Sequence, residues 1–189
     1  LISYLIAKNF NTQVLYSTLI ISSALFLFFV SITDLQNTKL KLSQKISHLA
    51  FSILIISIIL NSLFSEEVSV NLKKGEEKKL SNYLLKFESI SKMEINNFTS
   101  LKAEIHVIEN NNKLKFYPEL RLYKVPETIT SEADIKTNLF SDNLVVVNYL
   151  KDTDYLNIRY QKKPFMLLIW LSAFMLAVGG LIGLRKNFK

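Results

Sequence analysis

Three apolar runs without a single Asp, Glu, Lys or Arg constrain the fold of this chain more than any other feature. They extend from Val14 to Ile32, from His48 to Phe64 and from Pro164 to Leu184. A helix needs about 20 apolar residues to cross the hydrocarbon core of a bilayer, and each run is close to that length. The sequence therefore predicts a membrane protein with three transmembrane helices, at 14–32, 48–64 and 164–184.

The stretch between the second and third runs is predicted to be rich in β-strands. Segments that alternate, or that are rich in β-branched and aromatic residues, recur there between turn-forming clusters. The predicted strands are Tyr83–Phe87, Leu101–Ile108, Lys113–Tyr117, Arg121–Val125, Leu144–Tyr149 and Tyr155–Tyr160. Asn110–Asn112 predicts a hairpin, and Ser131–Lys136 predicts a helical turn capped by Ser131. We expect a small sandwich or open barrel.

This pattern divides the chain into three parts. Residues 1–64 hold an N-terminal segment and two transmembrane helices, residues 65–163 form the β-rich domain, and residues 164–189 hold the third helix and a basic tail. The first residue is Leu and no signal-peptide pattern follows it, so we expect the chain to be a fragment or the C-terminal part of something longer. The chain contains no cysteine, which excludes thiol redox chemistry and thiolate metal sites of its own.

The distribution of charge predicts how the chain lies in its membrane. Acidic and basic residues nearly balance within 65–163, whereas the flanks hold seven Lys and Arg against one acidic residue, Asp34. Three of those lysines lie at 39–45 and three basic residues lie at 185–189. The positive-inside rule places both clusters on the cytoplasmic side and residues 65–163 on the periplasmic side. Because the excess positive charge is juxtamembrane, no nucleic-acid partner is expected.

His48 is the candidate residue for chemistry. An ionisable side chain that leads into an apolar span is costly in lipid, and such residues are functional candidates by default. The alternative is that His48 marks the membrane interface beside Lys45 and hydrogen-bonds to a lipid headgroup. His106, the other histidine, falls on the face of a predicted strand with Lys102 and Glu104, opposite an apolar face. We expect it to be solvated and to have no role in a site.

Five segments along most of the chain occur in the order found in a known family. They are SHLAFSILIISIILNSLFSEE, GEEKKLSNYLLKFESI, NNFTSLKAEIHV, FYPELRLYKV followed by SEADIKTNLFSDNL, and IRYQKKPFMLLIWLSAFMLAVGGLIGL. Together they resemble the C-terminal part of the CcmF family, the haem-lyase subunits of cytochrome c maturation. Leu120, Asn82 and Val145 depart from the family pattern, where Lys, Gly and Tyr are expected.

The resemblance implies that His48 is an axial ligand of a membrane-embedded b-type haem, whose second histidine lies outside this chain. A neutral imidazole in an apolar environment is a good ligand for haem iron. The implied function is to help hold haem and present it for thioether attachment to the Cys-x-x-Cys-His motif of apocytochrome c. The implied partners are the N-terminal part of the haem lyase, a haem chaperone, apocytochrome c and the lipid bilayer.

By this interpretation the chain alone is not active as an enzyme. The expected location is the bacterial inner membrane, with the mitochondrial inner membrane as the alternative. The competing function is a non-catalytic, membrane-anchored scaffold or assembly subunit with a β-rich outer domain.

Overall fold

The computed structural model describes residues 3–5, 14–110, 112–150 and 153–187, and it contains three long apolar helices. They are α1 (Val14–Gln36), α2 (Leu42–Phe64) and α3 (Met166–Asn187). Each is long and apolar enough to cross a membrane, as the sequence predicts. Asn111 and the side chains of the basic tail at 185–189 lie outside the described residues.

The chain divides into two compact units. A helical unit comprises residues 1–65, 139–141 and 164–189, and a sandwich unit comprises residues 66–138 and 142–163. The strands were expected as one block, but the short segment 139–141 belongs to the helical unit. The two units are described separately below.

The second helix begins at Leu42, well before the apolar run that starts at His48. The side chain of Gln44 accepts a hydrogen bond from the backbone N–H of Lys41 at 3.0 Å, which satisfies one of the unpaired donors at this helix end. Polar residues can continue a helix beyond the hydrocarbon core, so the length of an apolar run is a lower bound on helix length. His48 therefore lies in the second turn of α2 and not at its first residue.

Small residues allow α2 and α3 to approach each other closely. A Cβ atom added to Gly179 would collide with the Oγ atom of Ser47, and one added to Gly183 would lie 3.6 Å from the Cβ atom of Ser43. Gly180 has nothing within 4 Å, so of these two neighbouring glycines only Gly179 faces α2. Close approach through small residues is a common basis of helix packing in membranes, where apolar burial gives little driving force.

Asn61 links the end of α2 to the segment that enters α3. Its Nδ2 atom donates a hydrogen bond to the carbonyl oxygen of Pro164. The rings of Phe64 and Phe165 meet edge to face nearby, with their centroids 6.3 Å apart. A polar residue near the end of a span, as Asn61 is here, typically joins neighbouring helices by such a hydrogen bond.

The structure describes ten strands, and nearly all of their residues belong to the sandwich unit. They are β1 (Glu66–Leu72), β2 (Glu77–Leu80), β3 (Tyr83–Ile95), β4 (Phe98–Glu109), β5 (Asn112–Phe116), β6 (Glu119–Lys124), β7 (Glu127–Glu132), β8 (Asp134–Thr137), β9 (Ser141–Tyr149) and β10 (Leu156–Pro164). One sheet has the order β1-β10-β9-β8. The other has the order β2-β3-β4-β6-β7, with β5 paired to β4.

Apolar side chains from both sheets form one core, which identifies the domain as a sandwich. Alternation along the strands directs every second side chain inward. The largest fully buried side chains include Tyr83, Leu85, Ile105, Phe116, Ile158 and Tyr160. Tyr160 and Tyr83 are in ring contact, with centroids 4.9 Å apart, and the Tyr160 hydroxyl donates a hydrogen bond of 2.8 Å to Asn143. Burial thus leaves this tyrosine with a partner for its polar atom.

Pairing between β1 and β10 closes the inserted domain. The two strands run antiparallel, and their register extends from Glu66 opposite Lys162 to Leu72 opposite Leu156. The sequence did not predict β1, because the seven residues of this strand closely follow an apolar helix and carry only a short alternating pattern. The strand forms because β10 offers its backbone groups along the whole length of β1.

The predicted helical turn at Ser131–Lys136 is wrong. Residues there belong to β7 and β8, which pair with β6 and β9 respectively. The hydroxyl of Ser131 does not cap a helix but donates a hydrogen bond of 2.8 Å to the carbonyl oxygen of Val147. Backbone pairing with two different strands outweighs the weak local helical signal.

The predicted hairpin between β4 and β5 is confirmed. Glu109 pairs with Asn112 at its closed end, and Asn110 has a positive φ of 47°. Asparagine tolerates this left-handed conformation better than most residues, since its short side chain can hydrogen-bond locally. The asparagine cluster is therefore a direct cause of the turn.

Truncating a core side chain should destabilise the sandwich unit. Ile158 is 0% exposed, so Ile158→Ala should lower the free energy of unfolding by about 2–5 kcal/mol, because it removes buried apolar contacts and leaves a cavity. Hydrogen exchange of the strand amides in the intact, detergent-solubilised protein measures this loss. Ile129 is 62% exposed, and Ile129→Ala should change stability by less than about 0.5 kcal/mol. Equal effects of the two variants would contradict the assigned core.

Candidate functional site

His48 and Asp34 form a side-chain pair between the first two helices. Asp34 lies in the last turn of α1 and His48 in the second turn of α2. The Nδ1 atom of His48 is 2.9 Å from the Oδ2 atom of Asp34, which is a hydrogen-bond and ion-pair distance. The short loop of residues 37–41 brings these two helix ends together, so residues fourteen positions apart in sequence become neighbours.

Two further contacts hold the same two helix ends in place. The Oγ atom of Ser31 donates a hydrogen bond of 3.1 Å to the carbonyl oxygen of His48. The Nζ atom of Lys45 donates one of 2.8 Å to the carbonyl oxygen of Leu35. Ser31 is only 1% exposed, so its contact is shielded from water. The imidazole is thus carried on a backbone that is fixed by hydrogen bonds at His48 itself and one turn before it.

The pair leaves one ring nitrogen of His48 available for a ligand. An ionised carboxylate can only accept hydrogen bonds, so Asp34 selects the tautomer in which Nδ1 carries the proton. In the neutral imidazole, the Nε2 atom presents a lone pair, and no hydrogen bond to it occurs among the residues that the structure describes. The side chain of His48 is 51% exposed, which gives this nitrogen access to a partner. Neutral imidazole with one free nitrogen is the form that binds metals and haem iron.

The surroundings of His48 favour a planar apolar group over a bare metal ion. Within the described ranges, no three His, Cys, Asp or Glu side chains come close enough together to hold an ion. Phe51 lies three residues after His48, hence on the neighbouring part of the helix surface, and it is 47% exposed. His48 thus offers one nitrogen donor beside exposed apolar surface, which is what a haem group would take from this part of the chain.

Asp34 is the site residue that sequence reasoning missed. It was counted only as the single acidic residue of the flanking segments. That count already contained a signal, because an isolated carboxylate at the end of an apolar span needs a partner. His48 starts the next apolar run after a short loop, and antiparallel neighbouring helices would place the two residues at the same end. The structure shows that this carboxylate is the partner of the Nδ1 atom of His48.

His106 is buried, so the prediction that it is solvated is wrong. It is 4% exposed on the central strand β4. Its Nε2 atom is 2.9 Å from Oε1 of Glu104, and its Nδ1 atom is 3.5 Å from Oε2 of Glu88. The hydrogen bond from His106 lowers the pKa of the Glu104 carboxyl below its usual value. Long polar side chains on neighbouring strands cover the ring, although it points away from the apolar core. Burial and the hydrogen bond between Nε2 and Glu104 keep the ring of His106 from meeting an external ligand.

Comparison with known proteins places the strands in a described domain family. The family model described as the CcmF C-terminal beta-sandwich matches residues 63–164. A solved structure named cytochrome c heme lyase CcmF is similar in fold, with a TM-score of 0.57 at 12% sequence identity. That match covers 74% of this chain and 23% of the solved chain.

Curated relatives show the same partial coverage. The chain is 27% identical over 148 residues to the cytochrome c-type biogenesis protein CcmF of Pseudomonas aeruginosa, which covers 77% of this chain and 22% of that protein. It is 26% identical over 156 residues to the CcmF of Haemophilus influenzae, covering 82% of this chain and 24% of that protein. The chain thus spans about a quarter of the length of the relatives that it matches.

Proposed function

The chain belongs to the CcmF family of cytochrome c biogenesis proteins, and from this premise we propose that it is the C-terminal part of a membrane haem lyase. In this role it helps to hold haem and to present it for covalent thioether attachment to the Cys-x-x-Cys-His motif of apocytochrome c. The observation that carries the proposal is the His48–Asp34 pair, with Nδ1 engaged at 2.9 Å and Nε2 open.

His48 is proposed as an axial ligand of a b-type haem in the membrane. Its Nε2 atom would bind the iron, Asp34 would hold the ring through Nδ1, and Phe51 would contribute apolar surface beside the cofactor. When bound, a haem with two axial ligands supplies one-electron redox chemistry, at a potential that those ligands tune. The helices contribute by holding the backbone of α2 against α1 through the contacts of Ser31 and Lys45.

The second axial ligand must come from another part of the assembly. The chain has only two histidines, and His106 lies in the sandwich unit between Glu104 and Glu88. We therefore place the other ligand in the N-terminal part of the haem lyase, which is the first proposed partner. A haem chaperone and apocytochrome c are the others, and the chain is not proposed to be active alone.

The proposed location is the bacterial inner membrane, with residues 65–163 on the periplasmic side. Support comes from the exposed lysines of the loop between α1 and α2, which the positive-inside rule assigns to the cytoplasm. With that loop inside, α2 runs outward and delivers the β-strands to the periplasm, where c-type cytochromes receive haem. The alternative location is the mitochondrial inner membrane.

Cysteine labelling can test this orientation, because the chain has no native cysteine. Met93 on β3 is 65% exposed, and a Met93→Cys variant should react with a membrane-impermeant maleimide in intact cells. Thr38 lies in the exposed loop after α1, and Thr38→Cys should react only after the membrane is permeabilised. Labelling of Thr38→Cys in intact cells, with protection of Met93→Cys, would reverse the proposed topology.

Removing the imidazole should remove the haem. In the purified, assembled complex, His48→Ala should lower the haem-to-protein ratio or shift the Soret band, because one of the two axial ligands is lost. Formation of c-type cytochromes in cells should fall with it. Added imidazole should restore part of the spectrum by filling the vacated axial position.

His106 provides the matched control. Because it is buried, the control substitution must keep a polar side chain of similar size at this position. His106→Gln retains a polar side chain between Glu104 and Glu88, whereas alanine would remove the hydrogen bond to Glu104 and leave a gap under the sheet surface. The haem spectrum of this variant should be unchanged. A native spectrum and native stoichiometry in His48→Ala would contradict the ligand assignment and favour the scaffold function.

A further inference from the structure

We propose that Asp34 is a positioning residue that sets both the orientation and the electron-donor strength of His48. This inference rests on the proposed function, since it concerns how His48 binds haem iron. It goes beyond that function by assigning a role to the one acidic residue of the flanking segments. Asp34 would not contact the cofactor and would act only through the imidazole.

The charge of Asp34 is directed at His48 and not at the neighbouring lysines. Three lysines surround this helix end, yet none lies in ion-pair range of Asp34 in the part of the chain that the structure describes. Lys45, the closest of them to His48 in sequence, is hydrogen-bonded to the Leu35 carbonyl oxygen instead. The Asp34 side chain is 20% exposed, so its charge is partly withdrawn from water. A carboxylate in this position needs a partner, and His48 is the one present.

This arrangement has two separable effects on a metal-binding imidazole. The accepting oxygen fixes the tautomer and the ring plane, which directs Nε2 toward one place. The negative charge gives the ring partial imidazolate character, so Nε2 becomes a stronger donor and stabilises ferric iron over ferrous iron. The first effect requires only an acceptor, whereas the second requires the charge.

Two substitutions separate these effects. Asp34→Asn keeps an acceptor oxygen and removes the charge, so the complex should retain haem while its midpoint potential rises. Asp34→Leu removes both, so the potential should rise and haem affinity should fall by about 10- to 100-fold, the usual loss when such a supporting residue is removed. The measurements are a redox titration and low-temperature electron paramagnetic resonance of the ferric haem in the purified complex. Both report on the loaded fraction and so do not depend on yield.

Thr33→Ala, one residue before Asp34, is the matched control. It removes a side-chain hydrogen bond within α1, from the Thr33 hydroxyl to the carbonyl oxygen of Val30, without touching the imidazole. Its potential should equal that of the native complex. Native potentials in both Asp34 variants would overturn the role of Asp34 while leaving the proposed function intact, provided that His48→Ala loses haem. Retention of native haem by His48→Ala would overturn both.

A second observation concerns the segment between β8 and β9, and we infer from it a contact with lipid. Leu139 and Phe140 are 73% and 81% exposed, although both are large and apolar. The carbonyl oxygen of Phe140 accepts a hydrogen bond of 2.9 Å from the N–H of Phe165, the residue before α3. Phe165 in turn contacts Phe64, the last residue of α2. The two exposed side chains are therefore held at the outer ends of two membrane-spanning helices.

That position corresponds to the boundary between headgroups and acyl chains in the outer leaflet. Aromatic side chains are enriched there, and Trp170 in the first turns of α3 is 66% exposed in keeping with such a belt. Because the pair continues the apolar surface of the spans, the occupant that fits it is the bilayer itself. Leu139 and Phe140 would then insert into lipid as a short anchor.

Depth-dependent quenching tests this contact. A Phe140→Cys variant labelled with an environment-sensitive fluorophore should be quenched in vesicles by phosphatidylcholine that carries a spin label near the headgroup. Ile129, which is 62% exposed on the sandwich unit, is the control, and the fluorophore at Ile129→Cys should not be quenched. Absence of quenching at position 140 would overturn the inference. If the fluorophore emits as in an apolar environment but is not quenched by the labelled lipid, a protein surface and not the bilayer covers the pair.

Discussion

The antiparallel pairing of β1 with β10 is the interaction on which the architecture of this chain depends. β1 begins two residues after α2 ends, and β10 ends two residues before α3 begins. Neighbouring strands lie only about 5 Å apart, so the pairing returns the chain close to the point where the insertion began. Everything between can then fold as a domain of its own. Within the helical unit, α2 and α3 are joined near one end by Asn61 and Pro164 and approach closely near the other at Ser47 and Gly179.

The other end of α2 is held by contacts with α1. A loop of five residues forces the last turn of α1 against the first turns of α2, and the side chains there must be compatible. An unpaired carboxylate beside a membrane is unfavourable, and so is an unoriented histidine. Pairing them resolves both problems and leaves one imidazole nitrogen accessible. The same contact is thus a structural solution and the basis of the proposed ligand.

The two histidines show how surroundings decide the chemistry of one residue type. His48 has one nitrogen on a carboxylate and one without a hydrogen bond in the described structure, and half of its side chain is exposed. His106 has carboxylates near both nitrogens and almost no exposure. Of the two, only His48 is exposed enough to meet an external ligand. Sequence pattern singled out His48 as the candidate, but it assigned solvation to His106 because alternation ignores the long side chains of adjacent strands.

The sequence by itself determined the three helices and the β-rich domain between them, and it singled out His48 as the candidate for a site. These follow from local properties: charge-free length, period-two alternation, asparagine-rich turns and an ionisable residue in an apolar run. Only the tertiary structure decided the positions of β1, β7 and β8 and the identity of the partner of His48. Strand pairing and the Asp34 contact join residues that are distant along the chain, and their free energies depend on what lies opposite. Local pattern carries no information about that, so Ser131 looked like a helix cap and Asp34 like an isolated charge.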